Sequence, residues 1–372
     1  MNIGIPNESS KHENRVALTP SAVATLTQLG HPVYVESQAG IASRFTDEMY
    51  RHSGGTIAYA KEEIFRRCEL VCGVEPPTPE EVELMEPGKT SLSFVNLPVA
   101  RPQFIEAILQ NRINTIGAEL IESDDGDRPV IHSMSEIAGQ LSIFIAARCL
   151  QSGDLGRGII LGGIAGVAPA AVVILGAGVV GTEAARTAAG LGAQVIVLDR
   201  DLARLREVDR LLSKRVSTAL ATPVNVKKSA AYADVLIGAV FTKGERTPHI
   251  VTEEMVKSMK PGAVIIDVSI DQGGCVETSR PTTIENPTFL AYDVIHYCVP
   301  NITATVARTA TYSLTNTTLH YIIEIAQKGI VRALKENRSL GRAVCSFGGK
   351  CTQKLITEIF GGKYLPIESL LS

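Results

Sequence analysis

The chain has 372 residues, with 36 Lys and Arg against 39 Asp and Glu, 45% hydrophobic residues, 5% aromatics and no Trp. At roughly 150 residues per domain this leaves room for about two domains, each with its own core. A net charge of −3 argues against a nucleic-acid partner, which would need a basic surplus, and no stretch has the low hydrophobicity and high net charge of disorder.

In chain order, residues 1–6 read as an opening strand, 21–29 as a helix stopped by Gly30, and 33–36 as a second strand. Helix 61–67 and strand 70–74 follow, then helix 79–85 capped by Thr78 and strand 91–95, then helix 102–111 and strand 114–118. Strands separated by helices imply parallel βαβ crossovers. The polar run ESDDGDR, residues 122–128, is the candidate linker. After it, Ser133-Met-Ser-Glu136 has capping-box spacing and is expected to open a long apolar helix through about Gln151, suited to bridging two domains. A second series begins at Ala171, with strands near 172–175, 194–198, 235–239, 264–268 and 289–292. After Asn301 strands are expected to cease, and 312–328 is helical again.

The N-terminus, MNIGIPNESSKHENR, holds no apolar run of the kind a secretion signal needs. The seven cysteines, Cys68, Cys72, Cys149, Cys275, Cys298, Cys345 and Cys351, are scattered and form no CxxC pair. Neither a disulfide framework nor a zinc site is indicated, and a reducing, cytoplasmic compartment is expected. Residues 158–182 carry no charge over twenty-five positions, long enough for a membrane helix, but seven are Gly and one is Pro169, so no membrane span is expected.

That uncharged stretch ends in a nucleotide signal. The apolar run 172–175 leads into Gly176-Ala-Gly178-Val179-Val180-Gly181, then a helix over 182–191, a strand over 194–198 and Asp199. Gly176 permits the tight turn, Gly178 lets the backbone approach a pyrophosphate, and Gly181 lets helix and strand pack closely. The helix N-terminus offers free N–H groups to phosphates. Asp199 is placed to take the ribose hydroxyls and favours NAD over NADP, although Arg200 beside it is a group that could accept a 2′-phosphate.

With these residues stand IGIPNE…NRVALTP at the start, MSEIAG, GGIAGVAPA, LIGAV ending at Val240, and MKPGAVIIDVSIDQGGCVE…SRPTT. Together they are similar to the alanine dehydrogenase family, within the alanine dehydrogenase / pyridine nucleotide transhydrogenase superfamily, from Met1 to about Tyr321. The resemblance implies an α/β subunit of two Rossmann-like domains with parallel sheets, joined by long helices with a cleft between them. The substrate domain would be residues 1–128 completed by 306–372, and the NAD-binding domain residues 129–305. The implied reaction is reversible NAD-linked oxidative deamination of L-alanine in a homo-oligomer, a hexamer or a dimer. By motif, Arg15 would clamp the substrate carboxylate, Asp271 would serve as acid/base or ammonium partner beside the nicotinamide, and Asn301 would line the same site. Met134 would pack against substrate, while Ser135, Val179, Val180, Val240, Arg204 and Arg280 would join the cofactor contacts.

Plainer readings stand beside these. Arg15 could be an ordinary surface arginine, and Glu119, at the end of strand 114–118, has no motif behind it. Cys275 and Cys298 fit small buried residues better than nucleophiles, and His296 fits a packing histidine.

Two positions depart from the family. Members carry a substrate-binding lysine just before the first Glu-Pro and a catalytic histidine at the end of the next strand; here Val74 and Asn96 stand there. Water attack on an iminium wants a group titrating near neutral pH, which Asn96 is not, and Val74 supplies no cation. The sequence therefore reads as an NAD-dependent amino-acid oxidoreductase on an amino acid, keto acid or imine other than alanine. The alternatives are a catalytically silent NAD(H)-binding sensor or assembly partner, and an interaction protein that kept only the fold.

Overall fold

The computed structural model describes residues 1–10, 12–242 and 246–371. The chain divides into two compact units: Met1–Met134 with Ala304–Ser372, and Ser135–Thr303.

In the first unit the strands β1 (Ile3–Ile5), β2 (Val33–Glu36), β3 (Thr56–Ala58), β4 (Leu70–Cys72), β5 (Thr90–Ser93) and β6 (Asn114–Gly117) are parallel to their neighbours. Helices between them supply the crossovers. On β1 a Cβ at Gly4 would lie 2.8 Å from Ile64 Cγ2 and 2.9 Å from Cys68 Sγ, so glycine is what lets helix Lys61–Arg67 settle on the sheet. Helix Pro79–Glu83 starts in a complete capping box, Thr78 with Glu81, behind a proline in the first turn.

In the second unit β7 (Ala171–Leu175), β8 (Gln194–Asp199), β9 (Ser217–Leu220), β10 (Val235–Gly238), β11 (Val264–Asp267), β12 (Thr288–Ala291) and β13 (Val294–Tyr297) form a sheet of order β12-β13-β11-β10-β7-β8-β9. All pairs are parallel except β12 with β13. The order reverses at β7, which has β8 on one side and β10 on the other; ligands of such sheets bind outside the carboxyl ends of the strands at that point. β7 is buried along its whole length, as its uncharged sequence requires. The expected α/β class with mostly parallel sheets holds.

Three expectations change. Strands do not cease at Asn301: β14 (Val344–Phe347) runs antiparallel to β6, and β15 (Lys350–Cys351) pairs with β14, giving the first sheet the order β15-β14-β6-β5-β4-β1-β2-β3. VCSF is too short to show a period, and its place is fixed by contacts over two hundred residues away, such as Ser346 Oγ donating to Ile113 O at 2.8 Å. Helix Pro129–Cys149 begins before Ser133, whose Oγ donates to Val130 O at 3.0 Å inside the helix rather than capping it. A proline at the first position has its φ preset for a helix and overrides the capping-box spacing. Finally, the strand expected at 289–292 is the antiparallel edge strand β12, and the parallel strand β13 follows a tight turn through Tyr292 and Asp293 at φ 55° and 58°. Primed turns usually carry Asn or Gly, so this pair gave no warning.

Helix Pro129–Cys149 is also long and apolar enough, at a mean hydropathy of 1.3, to cross a membrane by composition alone. Here Ile143 and Ala146 are fully buried in the core of the second unit. A Cβ on Gly139 would lie 2.5 Å from Val180 O, so this helix lies against the start of the one that follows β7.

Candidate functional site

β7 ends in the glycine loop. Gly176 has φ 105°, which only glycine adopts readily, and a Cβ there would lie 2.3 Å from Ala239 O after β10. A Cβ on Gly181 would lie 1.9 Å from Gly176 O, so helix and loop touch through this residue. Gly178 differs: around its missing Cβ nothing lies within 4 Å. Helix Val179–Gly190 starts at Gly178 with no side chain capping it, leaving first-turn N–H groups directed at that open space. The loop is therefore tight where it meets protein and open where a dinucleotide phosphate would approach, and the residues present fit that group.

Asp199, 8% exposed, accepts from Ala177 N at 2.7 Å and from Asp201 N at 2.8 Å, one bond per oxygen. It fastens the loop to β8, and each oxygen keeps a second lone pair for a ribose hydroxyl. Arg200 is exposed, and Arg204 lies 3.9 Å from Asp201 Oδ2. Half-buried Val240 donates its N–H to Ser269 Oγ at 2.9 Å, and Ser135 is half-buried on its helix. Arg280 stacks over Phe289 at 4.5 Å, which stacks on His296 at 4.8 Å. His296 meets Val294 O through Nδ1 and Thr278 Oγ1 through Nε2, and burial lowers its basicity. Burial also holds the Cys275 thiol well above its ordinary range and pushes Cys298 up to about 12, so neither is poised as a thiolate.

Asp271 is exposed in the turn Val268–Gln272 after β11 and accepts from Asn301 N at 2.8 Å. Asn301 sits at φ 54°, a conformation Asn tolerates better than most residues, and its Oδ1 accepts from Thr303 Oγ1 at 3.2 Å. The structure thus brings Asp271 and Asn301 together at the carboxyl edge of the second sheet.

Arg15, Val74 and Asn96 belong to the first unit. Arg15 is 6% exposed rather than a surface residue. Its Nε and Nη2 donate to the two carboxylate oxygens of Glu13 at 2.7 and 2.6 Å, Nη1 donates to Met134 Sδ at 3.5 Å, and the guanidinium lies 5.6 Å from the Phe94 ring centre. Val74 is 1% exposed. Its N–H and that of Glu75 donate to the two oxygens of Glu8 at 2.7 and 3.0 Å. The same device recurs one strand over: Glu119 accepts from Val95 N at 3.1 Å and from Asn96 N at 2.7 Å, and exposed Asn96 is held at φ 48°. Two carboxylates, each on one strand's loop, fix the loops of neighbouring strands at the two departing positions. Burial pushes Glu8 up to about 8 against the pull of those two N–H bonds, with the nearby carboxylates of Glu13 and Glu75 adding to the rise; burial likewise raises Glu119.

Sequence reasoning missed Glu8, Glu13 and Phe94. Glu13 sits two residues before Arg15 inside ENRVALTP, and its spacing to a guanidinium was a readable cue; Glu8 offered none, because its partners are 66 and 67 residues away.

The N-terminal domain model of alanine dehydrogenase/PNT matches residues 4–138, and the C-terminal domain model matches residues 142–354. The chain belongs to the alanine dehydrogenase/PNT family. Over the full length of both chains it is 42% identical to a protein of Methanococcus maripaludis named alanine dehydrogenase. It is also 40% identical to one of that name from Bacillus subtilis, covering 100% of this chain and 98% of that one. A solved L-alanine dehydrogenase superposes with a TM-score of 0.92 at 38% identity over 100% of both chains. A transhydrogenase from Sinorhizobium meliloti, TM-score 0.80 at 22% identity over 95% of this chain and 99% of that one, shares the fold. The family places the chain among NAD(H)-linked oxidoreductases, the class the motifs imply.

Proposed function

We propose that the chain is an amino-acid oxidoreductase that interconverts an amine and an imine or keto acid on a substrate other than alanine. The observation behind this reading is the pair Val74 and Asn96, standing where the resemblance implies a lysine and a histidine, in a family whose curated relatives are named alanine dehydrogenase. NAD, held by the Gly176–Gly181 loop with Asp199, would supply or take the hydride; Ser135, Val240, Arg204 and Arg280 complete its contacts, and Asp199 with exposed Arg200 sets NAD against NADP. In the first unit Arg15 is the cation for a substrate carboxylate, oriented by Glu13 from behind. Asp271, oriented by the Asn301 N–H, holds the proton that leaves or joins the substrate nitrogen. Asn96 hydrogen-bonds but carries no proton between water and substrate, so an iminium that needs activated water is handled poorly.

Buried thiols throughout, none paired, support a reducing cytoplasmic setting. Exposure of Ile160, Ile164 and Val167 at 65%, 69% and 57% supports assembly into a homo-oligomer, a dimer or hexamer.

The test is a screen of amino acids, keto acids with ammonia or amines, and imines, read by NADH absorbance. L-alanine is expected to run about 10²–10⁴-fold below the Bacillus subtilis relative assayed beside it, the usual contribution of a proton-transfer group. Val74→Lys with Asn96→His should recover part of that activity. Alanine turnover equal to the relative's would refute the reading. A second reading, a silent NAD(H)-binding sensor or assembly partner, draws on the closed Arg15–Glu13 pair; it requires NADH to raise the melting temperature while no substrate turns over.

A further inference from the structure

The first unit holds a cavity of about 40 Å³ whose lining includes Gly73 and Glu75 but not Val74. It is large enough for one or two water-sized groups. Its wall carries the carboxylates of Glu8, Glu75 and Glu81 and the hydroxyls of Thr78, Ser91 and Ser93. Most of these are committed elsewhere. Glu81 is paired with Lys61 at 2.9 Å, Ser91 donates toward Thr115 Oγ1 at 3.4 Å, and Glu8 accepts the two N–H bonds of the turn. Ser93 is the exception: it is 1% exposed, and its Oγ has no hydrogen-bond partner. A buried hydroxyl left so costs about 1–3 kcal/mol, and its presence in a cavity wall points to a ligand that satisfies it.

The charge of that ligand follows from the same wall. Lys61 balances Glu81, while Arg15, whose field reaches Glu75 together with that of Arg101, is itself bound through two donors to Glu13. Among the described residues the lining holds Glu8 and Glu75 and no cation, so it favours a cationic guest over an anion. A metal ion is disfavoured, because among the described residues no group of three or more His, Cys, Asp or Glu is arranged to hold one. An ammonium needs only acceptors around its N–H bonds, which is what a hydroxyl and two carboxyl groups provide.

We propose that this cavity is a subsite for a primary ammonium group, either free ammonium or the terminal ammonium of a basic amino acid, bound by Ser93 Oγ, Glu75 and Glu8. Occupancy by free ammonium does not depend on the proposed reaction, whereas occupancy by a substrate side chain rests on it, and binding measured without cofactor or turnover stands or falls apart from that reaction. Burial, with the carboxylates of Glu13 and Glu75 adding to it, keeps Glu8 protonated at neutral pH, so an ammonium seated beside it displaces that proton, and binding near pH 7 is coupled to proton release.

Titration calorimetry of the full chain with ammonium chloride, methylammonium, ornithine and lysine tests this, with tetramethylammonium and sodium chloride as controls. Saturable binding of ammonium and methylammonium is expected, with a heat that changes with the buffer's ionisation enthalpy, and none for tetramethylammonium, which has no N–H to donate. Ser93→Ala should weaken ammonium about tenfold, the scale of one hydrogen bond to a charged group, while leaving the melting temperature within a few degrees. Ornithine or lysine binding more tightly than methylammonium, and competing with it, assigns the site to a substrate side chain; free ammonium alone assigns it to the small cation. No saturable binding, an equal response to tetramethylammonium, or an unchanged affinity in Ser93→Ala would mean that the cavity holds water only and would overturn the proposal.

Discussion

Gly178→Ala is expected to leave the protein folded with wild-type stability while lowering NADH affinity at least about 100-fold, on the order of 3 kcal/mol. Gly181→Ala, three residues on, is expected to destabilise the chain by about 3–5 kcal/mol whether or not nucleotide is present. The two glycines share a motif, but different neighbours impose them. A methyl on Gly178 meets nothing within 4 Å and the residue's φ of −78° is ordinary, so only a ligand would object to it. A methyl on Gly181 would lie 1.9 Å from Gly176 O, a backbone atom that moves only if the strand–helix turn is rebuilt. NADH fluorescence titration together with urea unfolding separates the effects. Wild-type NADH affinity in Gly178→Ala would show that no phosphate approaches this loop, and wild-type stability in Gly181→Ala would show that the close approach is absent.

That contrast also marks what could be seen in the sequence. The glycine loop was legible because strand, turn, helix and acid lie within about thirty residues, and each glycine's reason is local. The helices whose first turns carry proline, such as Pro102–Gln110, were legible for the same reason. Position 74 was legible only as a missing lysine. That its valine is buried, and that its N–H is fixed by Glu8, depends on the parallel placement of β1 beside β4, which no local pattern encodes. Glu119 shows the same limit: in the sequence it is a carboxylate at a strand end with no motif behind it, and in the fold each of its oxygens accepts an N–H from the loop of the neighbouring strand. Short strands that complete a sheet across two hundred residues, such as β14, carry no periodicity to read.

Between pH 5 and pH 8 the wild type is expected to lose stability relative to Glu8→Gln. Glu8 has an ordinary value of 4.5 and is pushed up to about 8 in the folded chain, first by burial, then by the carboxylates of Glu13 and Glu75. A carboxyl raised in this way binds its proton more tightly folded than unfolded, so its contribution is fully present below 4.5 and is lost as pH rises through about 8. The gap corresponds to at most about 5 kcal/mol, and relaxation of the surroundings around a buried charge reduces the expected difference to about 2–4 kcal/mol. Glutamine keeps the shape and removes the titration; its amide faces one of the two loop N–H groups, which adds a penalty that does not vary with pH. Glu36, Glu75, Glu119 and Asp267 are raised by burial too, so the wild-type curve alone would not isolate Glu8, whereas its difference from Glu8→Gln does. Val74→Lys supplies a cation beside this cluster and should move the loss of stability to lower pH. Urea unfolding at half-unit pH steps checks both statements: parallel curves for wild type and Glu8→Gln would mean that Glu8 is already ionised at pH 5 and that the two N–H bonds, not burial, govern it.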